Sequence, residues 1–128
     1  MMKLLVVDDS ESTLRLLKQS LHPLGAETDT AQSGLEAVTL LEGRKYDLVV
    51  TDLLMPLGSG FDIIDTLAQR NPRTPLLVCS AYVTQAVRER VRSYGPAEIV
   101  SKPFTAQKLL EAAQRLTNFS PGETEANR

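Results

Sequence analysis

The sequence predicts an α/β fold: five βα units forming a parallel sheet of order 2-1-3-4-5, with helices on both faces in a three-layer sandwich. Three observations predict it. Short apolar runs alternate with segments of helical period, five times over. Three of the runs, Leu4–Val7, Leu48–Val50 and Leu76–Cys79, are apolar without interruption, as strands covered on both faces are. The other two extended segments are polar or short, which suits the edges.

Each element follows in order. Leu4–Val7 is too short for a helix and ends at Asp8-Asp9-Ser10. Leu14, Leu17, Leu21 and Leu24 then recur at helical spacing, with Pro23 and Gly25 closing that helix. Glu27–Ala31 is extended but polar, an edge strand. Ser33 caps the second helix, with Glu36 reaching back as a capping box and Val38 and Leu41 as its buried stripe. Leu48–Val50 leads to Asp52 and a loop holding Met55, Pro56, Gly58 and Gly60. Ser59 caps a third helix whose buried face is Phe61, Ile64, Leu67 and Ala68, ending before Pro72. Leu76–Cys79 terminates at Ser80-Ala81, and a helix with Val87 and Val91 runs to Gly95-Pro96. Ile99-Val100 is a short fifth strand ending at Ser101-Lys102-Pro103, and Thr105 opens a last helix with Leu109, Ala113 and Leu116.

A chain of 128 residues with 42% hydrophobic content fits one domain with a proper core. Residues 1–118 are expected to form it, and 119–128, with little apolar content, a flexible tail or the start of a linker. Charged residues at 23%, without long blocks of one sign, exclude a disordered chain. No run is long enough to span a membrane and no charged leader precedes an apolar core, so a cytoplasmic protein is expected. The single cysteine, Cys79, and single histidine, His22, make a poor metal set and no internal disulfide. Net charge is −2, but residues 1–65 carry −6 and residues 66–128 carry +4. No basic stripe with interleaved aromatics appears, which argues against direct nucleic-acid binding.

The functional crevice of an open parallel sheet lies beyond the carboxyl ends of its strands, where strand order reverses. Here that is between strands one and three, which end in Asp8-Asp9 and Asp52. Ser80 and Lys102 close the neighbouring strands. Carboxylates one strand apart, ~5 Å, repel by about 3 kcal/mol per pair at an effective dielectric of about 20. A hard divalent cation and Lys102 would together balance three acids, and oxygen-only ligation points to Mg²⁺, with Mn²⁺ as a possible substitute. The plainer alternative is that Asp8, Asp9 and Ser10 cap a helix and Asp52 begins a turn. Acids, a hydroxyl and a lysine on four neighbouring strand ends favour a site.

These residues resemble the receiver domain of bacterial two-component response regulators, related to the chemotaxis receiver, over residues 3–117. The motifs are Val6-Val7-Asp8-Asp9-Ser10, Asp52-Leu53-Leu54-Met55-Pro56 with Gly60, Ser80-Ala81 and Lys102-Pro103-Phe104. The resemblance implies a flavodoxin-like (βα)5 architecture and a phosphoacceptor switch rather than an enzyme. It implies that Asp52 takes a phosphoryl group from a histidine of a sensor kinase or phosphotransfer protein. Asp8, Asp9, Asp52 and the backbone carbonyl of Leu54 are the implied Mg²⁺ ligands. Lys102 neutralises charge, Ser80 is the switch hydroxyl, Ala81 leaves it room, and Lys102-Pro103 is implied to be cis.

By the same resemblance the output surface is helix four, strand five and helix five, with Arg88, Arg90, Arg92 and Lys108 on it. Ser10, Leu14, Pro103 and Phe104 are expected to rim the pocket and meet the histidine-bearing partner. The oligomeric state is expected to be monomer or weak dimer, and the downstream effector or output domain is unknown. Three departures stand out. Ile99 replaces the aromatic residue common three positions before the lysine, so an aromatic rotamer swap is not available. Leu54 and Tyr82 stand two residues after Asp52 and Ser80, where smaller or polar groups often occur, and could screen an acyl phosphate from water. No output domain follows in this sequence. Two alternatives stay open: a Mg²⁺-dependent phosphohydrolase, which Leu54 disfavours because an acid/base is commonly needed there, and a degenerate receiver acting as a constitutive binding module, which the intact site set disfavours.

Overall fold

The computed structural model describes residues 1–55 and 58–118. The proposed tail, 119–128, and Pro56 lie outside them. β1 (Lys3–Val7), β2 (Glu27–Ala31), β3 (Leu48–Thr51), β4 (Leu76–Ser80) and β5 (Ala97–Ser101) form one parallel sheet in the order β2-β1-β3-β4-β5. The helices are α1 (Glu11–Leu21), α2 (Gly34–Gly43), α3 (Gly60–Arg70), α4 (Gln85–Tyr94) and α5 (Ala106–Asn118). The expected fold class and strand order are therefore observed.

Alternation along the three central strands divides the core into two layers, because successive side chains point to opposite faces of a sheet. Leu5, Val7, Val49, Leu76 and Val78 pack against α2, α3 and α4 through Ala37, Leu41, Ile63, Ile64, Leu67 and Val91. Leu4, Val6, Leu48, Val50, Leu77 and Cys79 pack against α1 and α5 through Leu14, Leu17, Leu21, Leu109, Ala112, Ala113 and Leu116. Continuous apolar runs are what such a doubly covered sheet needs.

Five local expectations need correction. Ser33 accepts from the Glu36 N–H, but the Glu36 carboxylate accepts from Gln32 rather than from Ser33, so it satisfies a donor one residue earlier. Ala37 takes the buried place on α2, and Val38 is only half-buried. Ile63 is buried on α3 where Ala68 is exposed. Leu24 is half-buried in a 3-10 turn, His22–Leu24, rather than in α1. β5 is as long as β1, β2 and β4, five residues, because Ala97 and Glu98 extend its pairing with β4.

Candidate functional site

Main-chain hydrogen bonds carry the ladder one residue past the central strands and so set the site. The Asp52 N–H donates to Val7 at 3.2 Å and the Asp8 N–H to Ala31 at 3.1 Å. Both acids thereby sit on adjacent strand ends at the point where strand order reverses. On the other side, Ser80 pairs with Ser101, and the Lys102 N–H donates to the Ser80 carbonyl at 2.9 Å.

The side chains meet at Lys102. Its ammonium donates to Asp52 Oδ2 at 2.8 Å and to Asp8 Oδ2 at 3.1 Å. Asp8 is buried, and its Oδ1 accepts from the Ser10 N–H at 2.9 Å. Asp52 Oδ1 accepts from the Leu53 N–H at 2.6 Å, with a longer contact from Leu54 at 3.3 Å. Burial pulls the Lys102 pKa down, but hydrogen bonds to Asp52 and Asp8 outweigh it and hold the value above that of an ordinary lysine. The Lys102–Pro103 peptide is cis.

The remaining expected residues are placed less tightly. Asp9 is exposed beside Asp8, and among the described residues no group of three or more acid, histidine or cysteine side chains converges closely enough to hold a metal ion. One ammonium shared between the two converging carboxylates offsets part of their repulsion. The side chains that this rim offers are nonetheless oxygen donors, the chemistry of a hard cation rather than of zinc.

Ser80 is buried, and its hydroxyl is engaged with the Tyr82 main chain, at 3.4 Å to the carbonyl and 3.3 Å from the N–H. Ala81 is exposed, Ile99 is half-buried against the α2–α4 layer, and Leu54 and Tyr82 are 57% and 70% exposed. Leu14 is core rather than rim. Pro103 is exposed and Phe104 half-buried. Arg88, Arg92 and Lys108 are exposed, whereas Arg90 is paired with Asp65. His22 ends α1, and Cys79 is buried among apolar neighbours that push its thiol up to about 12.

Thr51 was not singled out from sequence, and Gly60 only as part of the motif after Asp52. Thr51 is wholly buried, and its hydroxyl donates to the Asp52 carbonyl at 2.7 Å, steadying the turn after the acid. A lone hydroxyl closing an otherwise apolar strand was the available signal. Gly60 donates its N–H to Leu53 at 3.0 Å and lies so near the Asp52 carbonyl that a Cβ there would collide with it.

Comparison with known proteins agrees with this geometry. The family described as response regulator receiver domain matches residues 4–114. The response regulator protein PilR of Pseudomonas aeruginosa is 33% identical over 119 residues, covering 91% of this chain and 27% of PilR. The transcriptional regulatory protein CusR of Escherichia coli is 32% identical over 115 residues, covering 90% of this chain and 51% of CusR. The chain thus spans about a quarter to a half of these curated relatives. Among solved structures, the non-phosphorylated HemR receiver domain of Leptospira biflexa superposes with a TM-score of 0.86 at 29% identity, covering 94% of this chain and 97% of that one. The chemotaxis response regulator CheY4 of Vibrio cholerae gives 0.81 at 28% identity, covering 91% and 98%. With its strand order, its strand-end acids and lysine, and a match over nearly its whole described length, the chain belongs to the response regulator receiver domain family, whose members serve phosphorelay signalling as switches rather than as turnover enzymes.

Proposed function

We propose that Asp52 is the phosphoacceptor, charged by a phosphohistidine of a sensor kinase or histidine phosphotransfer protein. The observation that carries this is the Lys102 ammonium held between Asp52 and Asp8, at 2.8 and 3.1 Å. In the transfer an Asp52 carboxylate oxygen attacks phosphorus and forms the acyl phosphate. The P–N bond of the donor breaks, and its electron pair returns to the imidazole nitrogen. Lys102, already on the carboxylate, neutralises charge as the phosphoryl arrives. Asp8, Asp9, Asp52 and the Leu54 carbonyl would hold Mg²⁺ (or Mn²⁺), whose chemistry when bound is further neutralisation of phosphoryl oxygens.

Modification replaces a carboxylate of −1 with a group of about −2 and adds acceptor oxygens. Ser80 would supply a donor, since its hydroxyl donates elsewhere only over a long 3.4 Å contact to the Tyr82 carbonyl. Turning that hydroxyl to the phosphoryl draws the β4–α4 loop inward, and the small Ala81 leaves room. The change is read on α4, β5 and α5, a face with exposed Arg88, Arg92 and Lys108.

Incubation with acetyl phosphate and Mg²⁺ should add one phosphoryl by intact mass. Asp52→Asn should abolish the addition while the chain stays folded by circular dichroism. Labelling that survives in Asp52→Asn would place the acceptor elsewhere.

A further inference from the structure

α4 is held to the rest of the molecule by few contacts. Val91 is its one fully buried residue among those described, and Val87 and Tyr94 are half-buried. Its C-terminal end is pinned, because the Tyr94 hydroxyl donates to the carbonyls of Asn71 at 3.2 Å and Thr74 at 2.5 Å. Its first turn is hydrogen-bonded to its own cap, Thr84 accepting from the N–H groups of Val87 and Arg88, and meets the core through the half-buried Val87. That turn continues directly from the loop bearing Ser80, Ala81 and Tyr82.

Between the pinned end and the first turn stands Arg90. Its guanidinium pairs with Asp65 on α3 and lies over the ring of Phe61, 5.6 Å from the centroid. Phe61 follows Gly60, whose backbone is packed against the Asp52 carbonyl. Arg90 therefore joins α4 to α3, the two helices that follow the segments after Ser80 and after Asp52.

We propose that the Arg90–Asp65–Phe61 clasp is a positioning device for phosphorylation, holding α4 and the Ser80 loop in the resting arrangement seen here, with the Ser80 hydroxyl turned to Tyr82. This rests on Asp52 as the acceptor. Release of the clasp lets the Ser80 loop reach Asp52 more often, so the modified state forms faster. Both charged partners are half-exposed, with 45% and 58% of their side chains accessible, so the clasp tunes a population and contributes little to global stability.

Arg90→Ala should raise the rate of phosphorylation by acetyl phosphate about three- to tenfold. Asp65→Asn should raise it less, because the ring contact survives, and Arg90→Lys should stay near wild type. In a Ser80→Ala background the Arg90→Ala acceleration should vanish, an outcome that a merely structural role for Arg90 does not produce. Amides 85–89 of the unmodified protein should also exchange faster in Arg90→Ala while those of α5 do not. If the wild-type chain is labelled but Arg90→Ala is no faster, or is faster by the same factor without Ser80, the clasp has no such role. If the wild-type chain takes no label at all, the assignment of Asp52 fails and the clasp's role fails with it.

Discussion

Lys102 and Ser80 share one rung of the sheet: the lysine N–H donates to the serine carbonyl at 2.9 Å. The cation that faces Asp52 and the hydroxyl proposed to join it as a donor are therefore mounted on neighbouring strand ends, and neither can move along its strand without breaking that bond. The ammonium points at the two acids, whereas the hydroxyl is turned to the Tyr82 main chain. The site is thus partly compensated on the Lys102 side, while on the Ser80 side the hydroxyl is held by the Tyr82 main chain rather than by Asp52.

Removing that compensation should be costly. Lys102→Met leaves Asp8, 2% exposed, facing Asp52 with no cation between them. A loss of about 2–4 kcal/mol in urea unfolding is expected, below the fully buried case because Lys102 keeps some exposure to water. Millimolar Mg²⁺ should return more of that loss in Lys102→Met than it adds to wild type. Equal Mg²⁺ responses would mean that the acids do not share a cation.

Leu54 and Tyr82 are both well exposed and stand two residues after Asp52 and Ser80. An apolar group at each place favours slow loss of the phosphoryl by keeping water from an ordered approach. Leu54→Asn with Tyr82→Glu should shorten the half-life of the phosphorylated chain, followed by intact mass after the donor is removed. An unchanged decay would reject the screening role.

Gly60 tests how tightly the loop after Asp52 is built. A Cβ at this position would strike the Asp52 carbonyl and the Leu53 backbone, neither of which can swing aside. Gly60→Ala should cost about 1–3 kcal/mol of stability and slow labelling of Asp52. Full labelling at wild-type stability would show that the strand end tolerates displacement.

At the far edge of the sheet, Asp29 accepts from the Tyr46 hydroxyl at 2.7 Å and from Arg44 at 2.9 Å. Hydrogen bonding from Tyr46 and then Arg44 lowers the Asp29 pKa against the opposing effect of burial, while burial and the Asp29 contact push Tyr46 up to about 12. A raised folded-state value for Tyr46 means that its contribution is complete below pH 10.0, its ordinary value, and is lost as pH rises toward about 12. The lowered Asp29 value works the other way: its contribution is present above the ordinary carboxylate pKa and disappears as pH falls. Tyr46→Phe should shrink the alkaline loss in thermal melts, to which the raised Cys79 thiol and Tyr94 phenol also contribute, and soften the acid one. An alkaline loss of unchanged size in Tyr46→Phe would belong to those other groups alone.

Periodicity was enough to recover the five βα units, the strand order and the edges. Each central strand is apolar throughout because both of its faces are covered, and that pattern needs no knowledge of partners. It was not enough to choose among near-equivalent helix positions. Phe61, Ile63, Ile64, Leu67 and Ala68 are all compatible with a helical stripe, and only packing against β3 and α2 buries Ile63 and leaves Ala68 outside. The Glu36 carboxylate similarly had two main-chain donors within reach and took the earlier one.

The chain order of residues was sufficient to bring Asp8, Asp9, Asp52, Ser80 and Lys102 to one end of the sheet, since each ends a strand and parallel strands share an end. Which of them touch was settled only when residues 50 and 94 positions apart met: Lys102 lies between Asp52 and Asp8, and Asp9 faces outward. The Arg90–Asp65–Phe61 bridge has the same origin. Local spacing governs what a segment becomes, because hydrogen bonding and side-chain direction repeat along the chain. Contacts between segments depend on helix placement over the sheet, which is set by the packing of the whole core.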